Sequence, residues 1–313
     1  MNKKDKILIT GAAGLVGQNL IVHLKSAGYT NLVALDKHPA NTRILRGLHP
    51  DIQVMEADLS QPGDWEQSME AVGALVMLHA QIGGLHEEVF VANNVTATER
   101  VLHAAQAQGV RYLVHVSSSV VRSRAVDYYT RTKEAQEKLV LNCSIPHVIL
   151  RPTLMFGWFD RKHLGWLARF MKKVPLYPVP GDGRFMRQPL YAKDFCHIIM
   201  ACLEHPPEDL VYDISGQEKI DYIDMMRSIR DVTGSRARIV RIPYRLFWWL
   251  LRIYALFDRD PPFTTRQLEA LVITEEFDVI DWPGLFKVEQ TPLDRAFDET
   301  FNDPRDGDVV LEF

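Results

Sequence analysis

Tyr129 and Lys133 stand four residues apart in a stretch, Asp127–Asn142, whose apolar spacing predicts a helix, so their side chains share one face. A free tyrosine has a pKa of about 10, and acting as a base near pH 7 requires lowering it by about three units, roughly 4 kcal/mol. A neighbouring ammonium supplies part of that bias by favouring the phenolate. Tyr128 lacks such a partner, since four residues on it meets Thr132. Upstream, Ser117-Ser118-Ser119 closes an apolar run, Tyr112–Val116, and would bring a hydroxyl beside the same substrate oxygen. Any solvated helix face can carry a Tyr/Lys pair; the serine-tipped run before it is what favours chemistry.

A second constellation lies at the start of the chain. Gly11-Ala12-Ala13-Gly14-Leu15-Val16-Gly17 follows the apolar run Lys6–Thr10 and opens an amphipathic helix. In that setting Gly11 permits a tight turn, Gly14 lets the backbone approach a pyrophosphate, and Gly17 lets helix and strand pack closely. The helix start, at Leu15, Val16 and Gly17, offers free N–H groups and a positive dipole end to phosphates. The spacing is one residue longer than the commonest dinucleotide fingerprint, and a structural turn before a helix is the alternative. Asp36 lies 19 residues after Gly17 and can accept from the adenosine ribose hydroxyls while repelling a 2′-phosphate, which favours NAD. Lys37 and His38 follow at once and would blunt the repulsion, so NADP stays open. Asp58 is placed to bond the adenine edge, or to serve as a turn residue. With an oxidised nicotinamide ring nearby, a second positive charge joins Lys133 in favouring the Tyr129 phenolate, and Lys133 can also bond the nicotinamide ribose.

These residues need elements to hold them. Lys6–Thr10, Leu32–Leu35, Gln53–Glu56, Ala74–Leu78, Tyr112–Val116 and His147–Leu150 are nearly continuous apolar runs, as parallel strands covered on both faces require. Leu15–Ala27, Glu87–Gln108 and Asp127–Asn142 lie between them with helical spacing. The alternation predicts an α/β fold, a Rossmann-type doubly wound parallel sheet over residues 1–152. Residues 153–313 are expected to form a second, smaller, mainly substrate-binding region, with about 190–215 packing back on the first. The acidic tail Asp303–Asp308 is expected to be loose.

The motifs together resemble the extended short-chain dehydrogenase/reductase superfamily, and within it the NAD-dependent epimerase/dehydratase family of nucleotide sugars. The resemblance covers about residues 6–215 and rests on TGAAGLVG, Asp36, Asp58-Leu59, NNVT at 93–96, SSS at 117–119, YTRTK at 129–133 and RPT at 151–153. It implies that Tyr129 is the catalytic acid/base, Lys133 the ribose contact and Ser119 the polarising hydroxyl, with Ser118 as its rival. It further implies that Leu59, the loop His79-Ala80, Asn94 and Pro152 line or support the cofactor site, and that Arg187 grips a nucleotide-sugar diphosphate. One departure is that only nine residues separate Ser119 from Tyr129, where nucleotide-sugar epimerases carry a longer insertion. That short connection, with FGWFD at 156–160, GDGRFMRQP at 181–189 and FTTRQLEAL at 263–271, is more like the atypical branch related to the NADPH-binding accessory subunit of respiratory complex I. Members of that branch bind cofactor without needing to catalyse.

Composition narrows the rest. The chain has 313 residues, 47% hydrophobic and 24% charged, with a net charge of −4, which argues against a general nucleic-acid binder. Cys143, Cys196 and Cys202 form no paired framework and no metal-ligand spacing, so reduced thiols, no metal and a cytoplasmic location are expected. The apolar run Ile7-Leu8-Ile9 begins after six residues, so no leader is expected. Tyr244–Phe257 is aromatic-rich, with only Arg245 and Arg252 charged, and is too short to span a bilayer. Three readings compete for it: a core helix, an interfacial helix in peripheral contact with a membrane, or a partner-docking face. The expected activity is an NAD(P)-dependent oxidoreductase or epimerase acting on a hydroxyl or keto group of a nucleotide sugar, on a chain that could form a homodimer. The alternatives are a hydroxysteroid-type dehydrogenase with an apolar substrate and a non-catalytic cofactor-binding assembly protein.

Overall fold

The structure is a computed structural model that describes every residue except 123–126, 208–209, 258–264, 273–276, 308 and 313. Phe263, Thr264 and Asp308, which figured in the motif and the tail above, thus lie outside the described residues. Seven strands form one wholly parallel sheet: β1 (Lys6–Thr10), β2 (Leu32–Asp36), β3 (Gln53–Glu56), β4 (Val72–Met77), β5 (Tyr112–Val116), β6 (His147–Pro152) and β11 (Val211–Ile214). Their order is β11-β6-β5-β4-β1-β2-β3. The chain runs outward from β1 through β2 to β3, then returns to place β4 on β1's other side. The order therefore reverses between β1 and β4, and in such sheets the crevice beyond the strand ends at that point receives a ligand.

Alternate residues of β1 serve opposite faces, Ile7 and Ile9 in one core and Leu8 in another. The first face is covered by α1 (Leu15–Ser26) and by α7 (Ala192–Glu204), which lies against α1. Val101 and Leu102 of α4 (Ala97–Ala107) and Val140 of α5 (Tyr128–Leu141) cover the second. Helix α2 (Pro39–Leu48) joins β2 to β3. The long helix expected over Glu87–Gln108 is interrupted: α3 (Glu87–Phe90) and α4 flank a π-helical turn, Val91–Thr96. Such widened turns often mark functional positions.

A third core gathers Leu164, Ala168 and Met171 of α6 (Leu164–Lys173), Ile223, Met226 and Ile229 of α8 (Tyr222–Val232), and Ala296 and Phe297 of α12 (Leu293–Asn302). Short strand pairs tie this region together: β7 (Met155–Phe156) with β10 (Leu190–Tyr191), β9 (Met186–Arg187) with β12 (Ile220–Asp221), and β8 (Leu176–Pro180) with β13 (Arg238–Ile242). Helices α9 (Tyr244–Phe257), α10 (Thr265–Leu271) and α11 (Trp282–Phe286) complete the chain order.

One expectation is corrected here, and one of the three readings open for Tyr244–Phe257 is disfavoured. The tail is held: Leu311 is buried with Trp158 and Phe159, and the Asn41 side-chain amide both donates to the Glu312 carbonyl (3.0 Å) and accepts its N–H (2.7 Å). The apolar residues beyond the acidic run anchor it, so local charge did not decide its order. Helix α9 is not a core helix. Phe247 turns inward, but Leu246, Trp249, Leu250 and Ile253 are 53%, 61%, 46% and 50% exposed.

Candidate active site

The glycine turn connects β1 to α1 at the switch point. Gly11 has φ of +66°, and a Cβ on it would come within 2.6 Å of the His79 amide nitrogen. Any side chain there would be strained and would meet the loop after β4. A Cβ on Gly17 would run into the Ala12 backbone, 2.5 Å from its Cα, so helix and strand pack at this distance only with glycine. Gly14 is different: its backbone is extended, and its Cβ would lie 3.3 Å from the Gly11 carbonyl, leaving its other side to a ligand. No side chain caps α1 and no acid lies in its first turn. The amides of Leu15, Val16 and Gly17 are thus left without a side-chain acceptor at the positive end of the helix, which suits a pyrophosphate.

Asp36 closes β2 beside this turn. One carboxylate oxygen accepts the Ala13 N–H at 3.0 Å and the other the His38 N–H at 2.9 Å. Burial pushes its carboxyl above the usual range, against the pull of those amides. Asp58 accepts both the Ser60 amide (2.9 Å) and hydroxyl (2.7 Å) through one oxygen. Burial would raise it, but the Ser60 bonds outweigh that and hold it low. The Leu59 side chain sits in the core with Trp65 and Met69, so only its backbone remains to a ligand.

The loop after β4 supports the turn from below. His79 bonds the Thr10 hydroxyl through Nδ1 (2.7 Å) and the Thr98 hydroxyl through Nε2 (3.1 Å). Burial, and then Lys133, lower its pKa to about 3, so the ring is neutral near pH 7. It braces β1 against α4, with half-buried Ala80 following. Asn94, in the π turn, is fully buried. Its Oδ1 accepts the Gln81 N–H (2.6 Å), and its Nδ2 donates to the Gln81 carbonyl (3.2 Å) and to Thr132 Oγ1 (2.9 Å). Through these bonds Asn94 fastens the loop after β4 to α5.

Helix α5 carries the Tyr129 and Lys133 pair. Asp127 caps it, accepting the Thr130 N–H at 2.7 Å. Tyr129 is half-buried in the first turn, whereas Tyr128 faces outward beneath the Arg131 guanidinium, 5.3 Å from the ring centroid. Lys133 is fully buried and donates to the Val116 carbonyl at the end of β5 (3.0 Å). Burial lowers its ammonium to about 7, with Glu137 pulling the other way. Glu137, one turn on, receives the Arg151 guanidinium through two bonds of 2.8 and 2.6 Å. The expected depression of Tyr129 is not present in this state. Burial raises the phenol, the Ser118 hydroxyl facing it lowers it, and Asp127 raises it again. The lysine spends its proton on Val116 instead. Of the serines it is Ser118 that faces the phenol; Ser119 begins a 3-10 turn, Ser119–Arg122.

Pro152 closes β6, buried and paired with Ile214 of β11. Arg187 departs from what the resemblance implied. It is only 5% exposed, donates to the Met186 carbonyl at 2.8 Å, and bonds the Leu271 carbonyl at the end of α10. A helix C-terminus leaves carbonyls without partners, and a guanidinium satisfies them well. Arg187 therefore caps the C-terminal end of α10. Next to it, Gln188 accepts the Phe277 N–H (2.7 Å) and donates to the Gly216 carbonyl (3.3 Å). Neither Gln188 nor the Lys133–Glu137–Arg151 chain was singled out from the sequence. Glu137 had a signal, because i and i+4 residues on α5 share a face.

A switch-point glycine turn, an acid closing β2 and a Tyr/Lys pair beside β5 define a dinucleotide-dependent enzyme of short-chain dehydrogenase/reductase type. Comparison with known proteins agrees: the chain belongs to the NAD dependent epimerase/dehydratase family, whose model matches residues 7–215. It is 27% identical to a ceramide reductase of Caulobacter vibrioides over 76% of this chain and 73% of that one. It is 24% identical to a 3 beta-hydroxysteroid dehydrogenase/Delta 5-->4-isomerase of Mycobacterium tuberculosis, over 86% and 80%. Among solved structures, the UDP-glucuronic acid 4-epimerase of Bacillus cereus in complex with NAD superposes with a TM-score of 0.72 at 21% identity, covering 94% of this chain and 96% of that one. Among the described residues no helix is long and apolar enough to cross a membrane.

Proposed function

We propose that this chain is an NAD-dependent dehydrogenase or reductase that interconverts a hydroxyl and a keto group on an apolar, lipid-like substrate. The observation that carries the chemistry is Ser118 facing the phenol of Tyr129 at the end of β5, with Lys133 buried one helical turn away. When bound, the nicotinamide supplies the hydride acceptor or donor. In the oxidative direction Tyr129 takes the hydroxyl proton, and in the reductive direction it returns one to the same oxygen. Ser118 donates to that oxygen and holds it against the phenol. Lys133, positioned by the Val116 carbonyl and by Glu137, stabilises the phenolate in its charged form and is poised to bond the nicotinamide ribose. Asp36 favours NAD over NADP by like-charge repulsion of a 2′-phosphate.

The substrate class rests on two supports. Arg187, the residue expected to hold a sugar nucleotide's diphosphate, is committed to the Met186 and Leu271 carbonyls. Two of the relatives above are named for action on a ceramide and on steroids. The competing nucleotide-sugar reading is separated by assay. Purified protein with NAD(H) is offered hydroxysteroids and long-chain keto lipids in one set and UDP-sugars in another. Turnover of an apolar substrate supports the proposal; turnover or thermal stabilisation by UDP-sugars alone contradicts it.

A further inference from the structure

The outward face of α9 has no occupant within the described chain. At about 100° per residue, Leu246, Trp249, Leu250 and Ile253 fall within a single arc of about 100°, with the buried Phe247 outside it. Arg245 and Arg252 lie together along one edge of that arc, both exposed. Strand β13 leads directly into α9 and adds exposed Arg238 and Arg241, preceded by exposed Arg236. No Asp or Glu occurs from 232 to 257, in a chain whose net charge is −4. Among the described residues none of these five guanidinium groups is in an ion pair; Arg252 lies over the Trp248 ring, 5.2 Å from its centroid. Apart from the exposed Glu269 of α10, which accepts from the Trp248 indole at 3.3 Å, the described charge around this apolar, tryptophan-bearing stripe is positive, opposite to that of the whole molecule.

We propose that this face docks on the surface of an anionic phospholipid bilayer, with α9 lying in the interfacial plane. Trp249, Leu246, Leu250 and Ile253 enter the headgroup–acyl boundary, while Arg245 and Arg252 reach sideways to phosphates from the rim. At 14 residues the helix lies on a membrane and does not cross it. Charge complementarity selects this occupant over a second copy of the chain. A two-fold contact through the same patch would oppose unpaired arginine rims with no acid in the segment to answer them. The docking does not depend on which substrate the enzyme uses, although it would bring the site region to a lipid source.

The test is co-sedimentation of the full-length protein with vesicles of phosphatidylcholine alone and of phosphatidylcholine mixed with phosphatidylglycerol. Binding to the anionic vesicles should exceed binding to the neutral ones by more than about tenfold and weaken with salt, since each basic residue near such a surface is worth about fivefold. The double variant Trp249→Asp, Leu250→Asp should lose sedimentation, and Arg238→Glu, Arg241→Glu should reduce it about tenfold or more, with NADH affinity unchanged in both as the check on folding. Absence of sedimentation on anionic vesicles overturns the proposal, as does retention by the Trp249/Leu250 variant. Equal binding to neutral vesicles overturns the role of the arginines. A concentration-dependent dimer that the Trp249/Leu250 variant dissolves, without vesicle binding, assigns the face to a second copy instead.

Discussion

Asp36 and Lys133 show how one residue's environment sets what the site can do. Asp36 is held by two backbone amides at a fixed point beside the glycine turn, where the proposed cofactor would bring its adenosine 2′ position against this carboxylate. Asp36→Ser should raise the affinity for NADP relative to NAD by about tenfold or more, the size expected when about 1.4 kcal/mol of repulsion is removed; an unchanged ratio from fluorescence titration of NADH and NADPH would count against its role. Lys133 has a folded pKa of about 7, below its unfolded value of 10.5. The unfolded chain therefore binds this proton through the window between them, and stability from this site rises with pH there. Below about pH 7 the buried ammonium is a burden in the folded state; above about pH 10 it is neutral in both states. The melting temperature of the parent minus that of Lys133→Met should increase between these limits. A flat difference would mean that the buried lysine does not titrate there.

At the scale of elements, most strands of the large sheet were legible because burial on both faces demands nearly continuous apolar runs; β3, half-exposed at the sheet edge, was read from Val54 and Met55 alone. The seventh, β11, has the sequence Val-Tyr-Asp-Ile, and Asp213 at its register with Arg151 hides it from any apolar pattern. The π turn at Val91–Thr96 was invisible for another reason: its cause is a tertiary clamp between Asn94, Gln81 and Thr132, which no local periodicity carries. Asn94→Ala should lower stability by about 1–3 kcal/mol, because it leaves the half-buried Gln81 amide and carbonyl without these bonds and removes one acceptor role from Thr132. It should also weaken NADH binding, since the 79–81 loop lies under the turn; full retention of both would contradict the clamp. Arg187 shows the limit of a motif. Its position was readable, but its orientation depends on the Leu271 carbonyl, 84 residues on. Helix α9 failed the core reading because an apolar helix looks the same in sequence whether its neighbours cover it or not.

For the whole molecule, the tail and the second region close around the first helices of the sheet. Trp158 donates from its indole to the Glu299 carbonyl at 2.7 Å and is buried with Leu311, while Asn19 of α1 bonds the Trp158 carbonyl at 2.9 Å. The chain end thus braces the same helix that the glycine turn opens. Leu311→Ala should cost about 2 kcal/mol or more in urea unfolding if that packing is tight; a change within experimental error would mean the tail is not part of the folded core. The central claim, that the fold assembles a nicotinamide site around an acid/base tyrosine, is tested most directly by Tyr129→Phe. The measurement is NADH oxidation on a reducible substrate, together with NADH affinity by fluorescence. The kcat should fall by about 100-fold or more with NADH affinity nearly unchanged, the range that loss of a positioned acid/base produces. Turnover equal to that of the parent protein would contradict it.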